Sequence, residues 1–209
     1  MIQESQAGLR GLYLVTPDWD DTRQLISVTE QALLGGAALV QYRHKTANPV
    51  LRMQQASELL QLCRSYAVPF IVNDHLELCQ AIDADGLHVG GTDMQVQAAR
   101  EALGPGKILG ASCYGDLERA QRAAEAGASY VAFGGFYPSR IKKYEVSTVP
   151  DIVNDAAGLA LPRVVIGGMT LENCKPLVVR GAEMVAVISS VYFERDPQAA
   201  ARALADLFV

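Results

Sequence analysis

Short apolar runs recur along this chain, and one after another they end in polar residues or glycine. Leu39-Val40 leads into Gln41-Tyr42-Arg43-His44-Lys45, Phe70-Ile71-Val72 into Asn73-Asp74, and Leu87-His88-Val89 into Gly90-Gly91-Thr92-Asp93. Ile108-Leu109 leads to Gly110-Ala111-Ser112, Val131-Ala132-Phe133 to a long basic loop, Val164-Val165-Ile166 to Gly167-Gly168, and Val185-Ala186-Val187-Ile188 to Ser189-Ser190. Longer amphipathic segments separate these runs, the pattern of strand and helix alternating around a parallel sheet. Strands are predicted near Gly11 to Thr16, Leu39 to Arg43, Pro69 to Asn73, Gly86 to Val89, Ile108 to Ser112, Tyr130 to Gly134, Arg163 to Ile166 and Met184 to Ser189. They are apolar on both faces, as buried parallel strands must be. Eight such units predict an α/β chain folded as a single (β/α)8 TIM barrel over residues 1–209, with 1–10 a flexible or loosely packed segment. In a closed ring the C-terminal strand ends gather on one face, where such barrels carry their chemistry.

A chain of 209 residues, half apolar and a fifth charged, suffices for one domain with a large core. Its apolar runs are far shorter than the ~20 residues needed to cross a bilayer, so no membrane span is expected. Met1 to Arg10 has neither the basic stretch nor the apolar core of a signal peptide, which predicts a cytoplasmic address. Cys63, Cys79, Cys113 and Cys174 lie far apart without a Cys-x-x-Cys pair, and read as buried reduced thiols. A net charge of −5 spread along the chain argues against nucleic acid and for small-molecule partners, and it leaves a homo-oligomer possible.

Several helices have readable starts. Asp116 is placed to cap a segment through Ala126, Thr170 one from Leu171 to Arg180, and Pro49 suits the first turn of one reaching Ser65. Gly36-Ala37, Gly127-Ala128 and Gly181-Ala182 each precede a strand and read as helix-ending glycines in a tight return loop. Gly135 to Thr148, with Arg140, Lys142 and Lys143, is predicted to be a long loop that closes over an anion.

The rim chemistry starts from the loops after strands seven and eight, where these barrels frequently bind phosphate. Gly167-Gly168 lets backbone approach an anion closely beside Ser189-Ser190; a pair of tight turns is the simpler alternative. Asp74 and Asp93 at adjacent strand ends fit a Mg²⁺ that takes its other ligands from water and substrate phosphate, though either could instead cap the helix after it. Arg43, Lys45 and Lys142 supply cations for a diphosphate, and the alternation of Gln41, Arg43 and Lys45 points those three the same way, into the barrel mouth. His44 is out of phase with them and His88 lies inside an apolar strand, so both read as packing or hydrogen-bonding residues rather than bases. Trp19, Tyr13 and Met169 belong to either the rim or the core.

These residues resemble the thiamine phosphate synthase family over nearly the whole chain. The resemblance runs from Gly11-Leu12-Tyr13-Leu14-Val15-Thr16 through the Gln-x-Arg-x-Lys pattern at Gln41, Arg43 and Lys45, Asn73-Asp74, Gly90 to Asp93, Gly110-Ala111-Ser112 and Gly167-Gly168, to Val187-Ile188-Ser189. It implies a transferase that joins 4-amino-2-methyl-5-hydroxymethylpyrimidine diphosphate to a thiazole phosphate, releasing pyrophosphate by a Mg²⁺-assisted dissociative substitution. By the same resemblance, Gln41 binds the pyrimidine, and Arg43, Lys45, Asn73, Ser112 and Lys142 hold the diphosphate. Asp74 and Asp93 hold the metal, and Gly168 and Ser189 the thiazole phosphate. Ser139 keeps a hydroxyl in a loop where the family commonly has Thr-Pro-Thr-Lys and this chain has Ser139-Arg140-Ile141-Lys142. Two alternatives stand beside it. A thiazole tautomerase of the same family would carry a histidine where Tyr114 stands, and a phosphate-ligand sensor would have no need of the intact charges.

Overall fold

A computed structural model describes residues 8–90, 94–139 and 148–209 of this chain. Its strands are β1 (Gly11–Val15), β2 (Ala37–Tyr42), β3 (Phe70–Asn73), β4 (Gly86–Val89), β5 (Ile108–Ser112), β6 (Tyr130–Gly134), β7 (Arg163–Ile166) and β8 (Met184–Val187). Every neighbouring pair is parallel, and β8 pairs with β1 to close the ring. The predicted (β/α)8 barrel is therefore the fold, with strand boundaries within two residues of those read from the sequence. Helices α1 (Thr22–Leu34), α2 (Pro49–Ser65), α3 (Leu76–Ala81), α4 (Val96–Leu103), α5 (Leu117–Glu125), α6 (Ile152–Asp155), α7 (Leu171–Val179), α8 (Ser189–Tyr192) and α9 (Pro197–Ala205) follow the strands in turn.

The strands' alternation divides the core in two. Leu12, Leu14, Val40, Tyr42, Phe70, Val72, Leu87 and Val131 face outward into a layer shared with the helices. Tyr13, Val15, Leu39, Ile71, Tyr130, Ala132, Val164, Met184 and Ala186 fill the barrel interior. Leu9 joins that inner cluster, and Arg10 lies over the Phe208 ring at 5.6 Å; residues 1–7 lie outside the described part of the chain.

Helix starts follow the capping chemistry. The Asp116 side chain accepts from Arg119 N, Asn48 caps the Pro49 helix through Leu51 N, and Thr170 forms a reciprocal capping box with Asn173. Gly36, Gly127 and Gly181 all take positive φ, so the repeated Gly-Ala pair is one return-loop device used three times. The four cysteines are buried and free. Burial pushes the Cys63 and Cys113 thiols up to about 12 and those of Cys79 and Cys174 to about 11, which keeps them protonated and inert. Among the described residues no helix is long and apolar enough to cross a membrane.

Candidate active site

The C-terminal ends of β2, β3, β4 and β5 surround a cavity of about 250 Å³ at the barrel mouth. Gln41, Arg43, Lys45, Asn73, Asp74 and Ser112 all line it, and for Gln41, Arg43 and Lys45 this is the common direction their alternation predicts. Thr16, at the end of β1, fixes the end of β2: its hydroxyl donates to Arg43 O and accepts from Arg43 N, both at 2.8 Å, while Thr16 N donates to Gln41 O. The Arg43 guanidinium is buried, and Nη1 donates to Asp18 Oδ1 at 3.1 Å. Its Nε is buried with no hydrogen-bond partner among the described residues. An orphaned guanidinium donor in a polar cavity is what an anion would satisfy. Asp18 also accepts from Lys45 N at 2.8 Å, so one carboxylate holds both the guanidinium and the turn that carries the lysine.

Asp74 does not cap a helix. α3 begins at Leu76 without a side-chain cap, and Asp74 instead takes φ of 62°, with its N–H on His88 O. This left-handed conformation is one that Asp tolerates, and it turns the carboxylate back over the cavity. There it accepts from Lys45 Nζ at 2.6 Å, Asn73 Nδ2 at 2.5 Å and Gly90 N at 3.1 Å. Burial works against its ionisation, but the bond and charge of Lys45, together with the Gly90 N–H, prevail and hold it below the usual carboxylate range. An ammonium already rests on this carboxylate, so Asp74 is oriented and ionised for a cation. A hard oxygen ligand of this kind suits Mg²⁺, which binds through one or two carboxylates and keeps water or phosphate oxygens elsewhere. Asp93 and Lys142 lie outside the described residues, and among those described no cluster of three metal-ligating side chains occurs.

A narrow cleft adjoins the cavity across Ile166 and Ala186, and Ser139, Gly168, Met169 and Ser189 line it. Gly168 has φ of 63°, and a Cβ there would stand 2.3 Å from Pro138 O, so the loops after β6 and β7 touch through backbone alone. Asn173 Nδ2 donates to Gly168 O at 2.9 Å, and Tyr137 N donates to Gly167 O at 3.2 Å. The Ser190 hydroxyl is bonded to Met169 O and so ties the loop after β8 to the loop after β7, leaving Ser189 as the serine of the cleft.

Other residues stand apart from the expected roles or were missed. His44 points away from the cavity, its Nδ1 accepting from Ala47 N and its Nε2 3.1 Å from Asp20 Oδ1. Trp19 packs edge-on against Tyr192 and Phe193. His88 has the hydrogen-bonding role expected, to Ser112 Oγ and Tyr130 OH at 2.9 Å each, yet it also lines the cavity. Its register opposite Asn73, between Gly86 and Gly90, was the signal for that position. Tyr13 and Tyr130, buried beneath the cavity, bond to one another at 2.6 Å. Asp18 was not found because nothing local distinguishes it from an ordinary loop aspartate.

Fold and site together define a (β/α)8 barrel whose apolar interior gives way to hydrogen-bonded and charged groups at the mouth. This chain belongs to the thiamine monophosphate synthase family, whose sequence model matches residues 12–191. A thiamine-phosphate synthase of Janthinobacterium sp. (strain Marseille) is 63% identical to it over 97% of this chain and 99% of the relative. One of Xylella fastidiosa (strain Temecula1) is 47% identical over 95% of this chain and 85% of the relative. Among solved structures, thiamine phosphate pyrophosphorylase from Pyrococcus furiosus superposes with a TM-score of 0.83 at 30% identity, covering 98% of this chain and 97% of that one. Orotidine 5'-phosphate decarboxylase from Pyrococcus horikoshii, 13% identical with a TM-score of 0.68, shares the barrel alone. The chain is thus an enzyme, a transferase of thiamine biosynthesis.

Proposed function

We propose that the barrel mouth condenses 4-amino-2-methyl-5-hydroxymethylpyrimidine diphosphate with a thiazole phosphate, giving thiamine phosphate and pyrophosphate. The reading is carried by one juxtaposition: Gln41, Arg43, Lys45, Asn73, Asp74 and Ser112 share a single cavity, with the Gly168 and Ser189 cleft beside it. Gln41, buried at the cavity floor, reads the pyrimidine through its amide. Arg43, Lys45, Asn73, Ser112 and Lys142 hold the diphosphate, while Gly168 and Ser189, with Ser139 nearby, take the thiazole phosphate. Mg²⁺, held by Asp74 and Asp93 with the diphosphate, would neutralise charge on the leaving group. Donors of these residues stabilise pyrophosphate as its bond to the pyrimidine methylene breaks. The adjoining cleft holds the thiazole so that its ring nitrogen forms the new bond to that carbon. No proton needs to be removed to form the bond, which agrees with His44 lying outside the cavity and with the two ring nitrogens of His88, which does line it, being bonded to Tyr130 OH and Ser112 Oγ. Both partners are small molecules.

The test is metal dependence with product analysis. Thiamine phosphate should form only with both substrates and Mg²⁺, and chelation by EDTA should abolish it. Undiminished synthesis in metal-free buffer would remove Mg²⁺ from the account, and thiazole tautomerisation without condensation would replace the synthase reading by the tautomerase one.

A further inference from the structure

Beneath the cavity, five side chains from β1, β2, β4, β5 and β6 form a continuous chain of hydrogen bonds across the barrel. Gln41 Nε2 donates to Tyr13 OH at 2.6 Å, Tyr13 OH meets Tyr130 OH at 2.6 Å, Tyr130 OH meets His88 Nδ1 at 2.9 Å, and His88 Nε2 meets Ser112 Oγ at 2.9 Å. We propose that Tyr13, Tyr130 and His88 are positioning residues: their hydrogen bonds run in one direction and thereby present Gln41 to the pyrimidine in one amide orientation and Ser112 to the diphosphate as a donor. This rests on the reading of the cavity as a pyrimidine diphosphate site.

The direction follows from counting protons. An amide nitrogen only donates, so Tyr13 accepts from Gln41 and gives its single proton to Tyr130. Tyr130 then gives its proton to His88 Nδ1. An imidazole that accepts at Nδ1 carries its proton on Nε2, which donates to Ser112 Oγ. The serine proton is left to turn into the cavity, and Gln41 Oε1 is left as an acceptor beside it. A doubly protonated His88 would force Tyr130 to donate to Tyr13, which already accepts from Gln41, and a buried hydroxyl proton would have no acceptor. The reversed chain, with Gln41 Oε1 toward Tyr13, would make Ser112 donate to His88 and turn its lone pairs toward an anion. Tyr13 is 1% exposed and Tyr130 0%, so water does not offer either hydroxyl another partner. Burial raises the ionisation of both phenols above the ordinary tyrosine range, which keeps each as a hydroxyl with a proton to pass on. Space is made for the pair: a Cβ on Gly110 would stand 2.1 Å from Tyr130 Cζ.

The tautomer of His88 reads the direction without reference to turnover. Nitrogen-15 imidazole spectra of the whole protein, with His88 assigned by its loss in His88→Gln, should show the Nε2–H form in the free enzyme. His44, whose Nδ1 accepts from Ala47 N, gives the reference pattern. An Nδ1–H form, or a mixture of the two, would overturn the proposal. In Tyr130→Phe, His88 should lose its single tautomer. The variant's kcat/KM for the pyrimidine diphosphate should fall about tenfold while KM for the thiazole phosphate holds. Retention of a single Nε2–H tautomer in that variant would overturn the chain whatever the kinetics. Should the variant fail to fold, the wild-type tautomer decides alone. A wild-type enzyme that makes no thiamine phosphate would fail the functional reading and leave the tautomer result standing.

Discussion

Asp74 combines a left-handed backbone, three hydrogen-bond donors and a depressed pKa, and each has a separate consequence. Asp74→Asn keeps the size and tolerates the same φ, so the fold should persist while the anionic ligand is lost. A charge-stabilising contact worth about 3 kcal/mol corresponds to a rate loss on the order of a hundredfold. The measurement is kcat beside thermal unfolding, and a melting temperature that falls enough to explain the lost rate would make the residue structural. The pH dependence has a definite sign. Because the folded-state pKa lies below the unfolded value of about 3.9, the carboxylate's contribution is fully present above that pH and is lost as pH falls through the folded value. The stability difference between wild type and Asp74→Asn should therefore be flat from about pH 5 to 8 and shrink below about pH 4 in thermal unfolding. Asp18 acts through Arg43. Asp18→Asn weakens the hold on the guanidinium, so KM for the pyrimidine diphosphate should rise several-fold with kcat less affected, and steady-state kinetics that leave KM unchanged would remove its positioning role.

On the proposed reading, the loop after β7 is the element on which the second substrate depends. Gly168→Ala would place a methyl against Pro138 O and Tyr137 O at a φ of 63°, so the loops after β6 and β7 must separate. Expected are a KM for the thiazole phosphate raised tenfold or more, a KM for the pyrimidine diphosphate nearly unchanged, and a melting temperature lower by several degrees, for a destabilisation of about 1–3 kcal/mol. Much at this scale was legible in the sequence. Strand positions followed from apolar runs, the starts of α5 and α7 from Asp116 and Thr170, and the common direction of Gln41, Arg43 and Lys45 from a period of two. What was not legible depends on which strands are opposite across the ring. Tyr130 looks like an ordinary β-strand aromatic until closure brings its hydroxyl to Tyr13, 117 residues away. His88 likewise reads as a strand residue until Ser112 and Tyr130 flank it. Asp74 could not be separated from a helix cap because the left-handed turn that removes it from that role is a backbone fact.

Across the whole molecule, the closed barrel separates two tasks. An apolar layer between strands and helices carries stability, and the barrel interior grades from apolar residues below to hydrogen-bonded and charged groups at the mouth. The mouth gathers cations and donors, and its cavity and cleft meet at Ile166 and Ala186, an arrangement that on the proposed reading seats the two substrates side by side. The central claim is that this arrangement exchanges a C–O bond to pyrophosphate for a C–N bond to thiazole. Phosphorus-31 NMR of the purified chain with pyrimidine diphosphate, thiazole phosphate and Mg²⁺ follows both products at once. The account predicts that pyrophosphate and thiamine phosphate appear one for one and only when all three components are present. Absence of thiamine phosphate, or pyrophosphate release that proceeds equally well without the thiazole phosphate, would contradict it.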